Sequence, residues 1–178
     1  VAKDSQNAGR RRQCHRHTQK DRLLIVVRFR KIYPDYPKDQ LIVNIDGKVA
    51  VITGAASGLG KTTAERIIAK GGSVAVFDLN KDLADRTTAE LVEAKSYEVD
   101  VTDDDSVTRA IEAVKSDFGS IHININCAGV GASSRTVGKD GALDVNKFNF
   151  IIQVNLVGTF SVLSKCAATM QLNDPEGE

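Results

Sequence analysis

Residues 53–60 read Thr53-Gly54-Ala55-Ala56-Ser57-Gly58-Leu59-Gly60, and they join two segments of different character. Before them, Val49 to Thr53 is a continuous Val/Ile-rich run, the pattern of a parallel strand covered on both faces. After them, a helix is expected from about Leu59 to Lys70. Glycines between a strand and a helix permit a tight turn. They also let backbone N–H groups approach a pyrophosphate at the helix N-terminus.

A competing reading starts from the same residues. Ala55 through Thr62, ending in Gly60-Lys61-Thr62, fits a relaxed phosphate loop, and Val74 to Asp78 could imitate a magnesium-binding strand. That would make the chain an NTPase. Against it, Ala55 stands where the strict loop has Gly, and the landmarks farther along have no role in an NTPase.

Downstream, short apolar runs alternate with amphipathic segments. Gly71-Gly72 ends the first helix, Ser73 to Asp78 forms a second strand, and a third is expected at Tyr97 to Val99. Thr102, followed by Asp103, Asp104 and Asp105, resembles a capping box, and Val107, Ala110, Ile111, Val114 and Phe118 supply the apolar stripe of a helix. After Gly119 come a fourth strand, Ile121 to Asn126, an irregular stretch through Gly141, a long helical region from about Asp144 to Met170, and a turn from Asn173 to Glu178. The alternation predicts an α/β fold of successive strand and helix units building a parallel sheet.

Asp78 closes the second strand 18 residues after Gly60, near the distance at which an acid accepts hydrogen bonds from an adenosine ribose. Its carboxylate would repel a 2′-phosphate. Ser57 stands where an Arg or Lys could neutralise one, so both features favour NAD over NADP. The plainer reading is a turn acid.

The spacing of Gly54, Gly58 and Gly60 after Thr53 resembles the short-chain dehydrogenase/reductase family, and three further motifs follow in order. Asp100-Val101 is similar to the pair that contacts adenine. Asn126-Cys127-Ala128-Gly129 is similar to the Asn-Asn-Ala-Gly motif after the fourth strand, with Cys127 in place of the second Asn. Asn155-Leu156-Val157-Gly158 resembles the Asn-centred motif of the long helix. The resemblance implies an α/β, Rossmann-type doubly wound parallel sheet, with strands in the order 3-2-1-4 and truncated after the fourth strand and its following helix. It implies NAD as cofactor, held by Gly54, Ser57, Gly58, Leu59, Gly60, Asp78, Asp100, Val101, Asn126, Cys127, Ala128 and Gly129. It implies a catalytic part for Asn155, helping to hold a water in the proton relay. It also implies a small-molecule substrate, a 3-hydroxyacyl-CoA or hydroxysteroid alcohol oxidised to a ketone by hydride transfer, and a homo-oligomer for the full-length form.

The family's remaining catalytic groups are a Ser and a Tyr-x-x-x-Lys pair. Tyr33, Tyr36 and Tyr97 are followed four residues later by Pro37, Gln40 and Val101, so no such pair occurs in the 178 residues. Ser133, Ser134, Ser161 and Ser164 precede the segment where the catalytic Ser belongs. The chain as given is therefore expected to be inactive, either part of an NAD-dependent dehydrogenase or a non-catalytic product that binds nucleotide or a partner.

Composition is that of an ordinary globular protein, but charge is divided. Residues 1–40 hold 11 Lys and Arg against 4 Asp and Glu, and the remainder holds 13 against 19. Residues 1–45 read as a basic, mostly irregular arm and 46–178 as an incomplete NAD-binding domain. The Arg-rich, acid-poor arm suggests mitochondrial targeting, although it is Ser-poor, and a cytoplasmic location is the alternative. Cys14, His15 and His17 have no distant partners to complete a metal tetrahedron, so neither metal nor nucleic acid is expected. Near the start the longest apolar run, Leu23 to Val27, is far short of the roughly 20 residues of a membrane span, and no membrane partner is expected.

Overall fold

The computed structural model describes residues 44–131, 134–139 and 141–174. The expectations for the basic arm up to residue 43, its Cys14/His15/His17 cluster and the turn beyond Asp174 lie outside the described residues.

Five residues of β1 (Val49–Thr53) form the centre of the sheet and are all buried. The parallel order is β3 (Ala94–Glu98), β2 (Ser73–Asp78), β1, β4 (Ile123–Asn126), the predicted 3-2-1-4. Because side chains alternate along a strand, β1 and β2 feed two cores. Val49, Val51, Ala75 and Phe77 face one core, and Ala50, Ile52, Val74 and Val76 face the other. Helices α1 (Gly58–Ile68) and α2 (Lys81–Ala89) supply Ala64, Ile67 and Ala84 to the second core. Helix α3 (Asp104–Phe118) covers the first with Val107, Ala110, Ile111 and Val114, joined by Val162 and Cys166 of α5 (Thr159–Met170). Phe77 meets Tyr97 edge to face at 5.6 Å, tying β2 to the edge strand.

Several boundaries differ from expectation. Helix α2 is absent from the sequence reading because its composition is largely polar, yet Asn80 caps it by accepting from the Leu83 N–H at 3.0 Å. The expected box at Thr102 is replaced by Asp103, whose carboxylate accepts from the Asp105 N–H at 3.0 Å. Thr102 instead donates its hydroxyl to Asp100 at 2.7 Å, because an Asx turn there competes for it. The third strand starts three residues early, at Ala94, where pairing with Val74 rather than apolar content sets its limit. The fourth starts at Ile123, since Ile121 and His122 precede the ladder.

The stretch expected to be irregular contains a short antiparallel pairing of β5 (Val137–Gly138) with β6 (Gly141–Ala142). The long helical region is three segments: α4 (Val145–Ile152), a π-helical segment (Gln153–Gly158) and α5. By length and composition alone this run, Val145–Met170, could cross a membrane, as a core helix of a soluble protein also can. Its face carrying Val154, Ser161, Val162 and Cys166 is nevertheless buried against the rest of the fold.

Candidate functional site

The carboxyl ends of the parallel strands open onto a cavity of about 470 Å³. All the candidate cofactor-binding residues line it except Asn126; Phe77, Leu79, Val99, Val130 and Val154, which the sequence reading did not single out, complete the wall. A crevice beside a reversal of strand order is where open α/β sheets take ligands. Here β1 connects outward to β2 and β3 on one side, and the chain returns to β4 on the other.

Two glycines are required by the backbone. Gly54 has φ +61°, and a Cβ there would come within 2.8 Å of the Ala128 nitrogen, so the loop after β1 and the loop after β4 touch at main-chain distance. At Gly60 a Cβ would collide with the Gly54 carbonyl oxygen, so α1 packs against its own loop only without a side chain. Buried Thr53 locks the same junction: its hydroxyl accepts from the N–H groups of Cys127 at 3.1 Å and Ala128 at 3.0 Å. A strand-terminal Thr before glycines was the available signal for this role.

Asp78, half-buried, is already engaged by backbone. Its Oδ2 accepts from the Ala56 N–H at 3.1 Å and its Oδ1 from the Asn80 N–H at 3.0 Å. It is thus a loop anchor at the cavity rim, which goes beyond a turn acid. Asp100 similarly accepts from the Thr102 N–H at 2.9 Å, holding Val101 in the wall. Ser57 precedes α1 as its N-cap, but its side chain makes no capping hydrogen bond. Lys61, central to the NTPase reading, points away to Glu90 at 2.6 Å; that carboxylate raises its pKa.

Asn126 donates to Asn124 at 2.7 Å, leaving Asn126 Oδ1 and Asn124 Nδ2 buried without a hydrogen-bond partner among the described residues. Asn155 does not line the cavity. Its Oδ1 accepts from the Val130 N–H and its Nδ2 donates to the Val130 carbonyl, both at 2.8 Å. The π-helical segment presents this side chain to the loop that follows Gly129. Among the described residues no group of three His, Cys, Asp or Glu could hold a metal ion.

Comparison with known proteins agrees with this geometry. The family described as short chain dehydrogenase matches residues 48–178. Bovine (Bos taurus) 3-hydroxyacyl-CoA dehydrogenase type-2 is 35% identical over 136 residues, 75% of this chain and 52% of that protein. A 3-ketoacyl-(acyl-carrier-protein) reductase from Brucella melitensis, solved with NADH, is 32% identical with TM-score 0.65, covering 70% of this chain and 50% of that one. An NAD⁺-bound xylitol dehydrogenase is 31% identical with TM-score 0.66, covering 72% and 50%. The chain spans about half the length of the curated relatives it matches.

Proposed function

The chain belongs to the short-chain dehydrogenase family, and from that premise we propose that residues 46–178 are the NAD(H)-binding portion of an alcohol/ketone oxidoreductase. The observation that carries this reading is Asp78, whose carboxylate stands at the rim of the same cavity as Gly54, Gly58 and Gly60. The cradle fits the group: side chains are excluded where Gly54 and Gly60 meet backbone, and N–H groups in the first turn of a helix, having no partner within it, are a ready site for phosphate. Ser57 to Gly60 would hold the pyrophosphate, Asp78 the adenosine ribose, and Asp100 with Val101 the adenine. Cys127, Ala128 and Gly129 would form the opposite edge.

NAD supplies a hydride acceptor when bound. Asn155 holds Val130, and hence the end of the Asn126–Gly129 motif, in place, which makes it a positioning residue of the site. The substrate we infer is a 3-hydroxyacyl-CoA or a hydroxysteroid. The similarity to the bovine 3-hydroxyacyl-CoA dehydrogenase supports it, as does a second depression that shares Val130 and is walled by Phe150, Ile151 and Lys147.

Competition titration tests the cofactor. NADH should bind more tightly than NADPH or ATP, because a 2′-phosphate would face the Asp78 carboxylate. Asp78→Ala should weaken NADH by about 1.5–3 kcal/mol, the scale of hydrogen bonds to a charged acceptor. Tighter NADPH or ATP binding would sink the proposal.

A further inference from the structure

Thr87 lies in α2, is 2% exposed and is not among the residues lining the cavity. Its hydroxyl donates to the Ala56 carbonyl at 2.9 Å, across 31 positions of sequence. Helical threonines ordinarily satisfy the hydroxyl by bonding back to their own helix. Thr63, Thr108, Thr159 and Thr169 do so here, each donating to the carbonyl four residues earlier, and Thr88 donates three residues back. Thr87 is directed to the loop instead.

That bond completes a clamp. The Ala56 N–H is held by Asp78 at the end of β2, and its carbonyl by Thr87 of α2, so both peptide groups flanking one Cα are fixed by different elements. Ala55, next to it, donates its N–H to the Phe77 carbonyl at 3.3 Å. The residue that follows, Ser57, makes no capping hydrogen bond, so the usual side-chain device for setting the entry of α1 is absent.

We propose that Thr87 is a positioning residue that holds segment 54–60 in the conformation that receives a dinucleotide pyrophosphate, acting through Ala56 without touching the ligand. The inference rests on the NAD(H) reading above and deepens it: Asp78 and Thr87 together couple the ribose end of the site to the phosphate end. Thr87→Val keeps the shape and removes the donor, leaving the Ala56 carbonyl free to turn.

The test titrates NADH, ADP and adenosine against the full chain and its T87V, T87A and T87S variants by calorimetry. T87V and T87A should each weaken NADH and ADP by about three- to tenfold, the scale of one neutral hydrogen bond, while adenosine changes by less than about twofold. T87S keeps the hydroxyl and should bind all three ligands like wild type. A purely structural role would weaken the three ligands in parallel, or weaken none while lowering the melting temperature, and either result overturns the clamp. Wild-type protein that binds neither NADH nor ADP removes the nucleotide reading and the clamp with it; T87V that binds like wild type removes the clamp alone. Should both donor-less variants fail to fold, NMR of the wild type decides: the Thr87 hydroxyl proton must exchange slowly and shift when ADP binds but not when adenosine does, and a hydroxyl proton lost to exchange or unmoved by ADP overturns the proposal.

Discussion

At the scale of single residues, His122 makes the fold sensitive to pH. Its Nδ1 accepts from the Val49 N–H at 3.1 Å, which only the unprotonated nitrogen can do. Burial and, after it, the nearby Lys48 charge lower its pKa from 6.5. A depressed folded-state pKa means that protonation favours the unfolded chain, so this contribution is present above about pH 6.5 and is lost as pH falls. The carboxylates of Asp85, Asp104 and Asp117 are also lowered, chiefly by hydrogen bonds from Lys81, Lys165 and Tyr97. Their contribution has the same sign but fades only in the acid range of carboxylates. Melting temperature should therefore drop between pH 7.5 and 5.5 in wild type and much less in His122→Asn, whose amide oxygen can still accept. An equal drop in both would exclude His122 as the source.

Among the elements, the long helical run shows how a local irregularity serves a distant loop. The π-helical turn at Gln153–Gly158 carries Asn155, and both ends of its amide are used by the Val130 backbone. Such insertions are uncommon in helices and concentrate at functional sites. Asn155→Ala removes two hydrogen bonds and should destabilise by about 1–3 kcal/mol, and Asn155→Asp should lose at least as much, because its second carboxylate oxygen would face the Val130 carbonyl oxygen. Urea unfolding would measure both, and a neutral Asn155→Ala would mean that water replaces the clamp. The same run has an uncovered side. Phe148, Phe150, Leu156, Phe160 and Leu163 are all exposed, far more apolar area than one helix usually leaves to water.

For the molecule as a whole, that face and the free side of β4 lead to one expectation. A polypeptide of these 178 residues should self-associate, because among the described residues β4 pairs with β1 alone and its other backbone edge has no strand beside it. Light scattering should show species larger than a monomer. It should also fail to turn over 3-hydroxyacyl-CoA, since positioned acid–base groups contribute about 10²–10⁴-fold to such reactions and no Tyr-x-x-x-Lys pair is present to supply them. An active, monomeric preparation would overturn both statements. Removing residues 1–40 should leave NADH binding unchanged, because every motif of the site lies beyond them.

Period and glycine spacing determined the strand–loop–helix at 49–70, because it follows from local backbone geometry and burial on both faces of a strand, whereas the strand order and the cavity residues Asp100, Val101 and Cys127 to Gly129 were legible only through the resemblance of four motifs in order to the short-chain dehydrogenase/reductase family. Other features were decided only by the tertiary structure. Helix α2 has little apolar signal of its own and is held by a cap and by Ala84 and Thr87 packing on the sheet. Lys61 could have faced a phosphate by sequence, and only the approach of Glu90 turns it away. Asp78 reads as a ribose acceptor, yet its bond to Ala56 depends on two segments 22 residues apart coming within hydrogen-bond reach. The common physical reason is that a side chain's partner across space has no periodic trace in the chain, whereas the backbone conformation that brings the two together does.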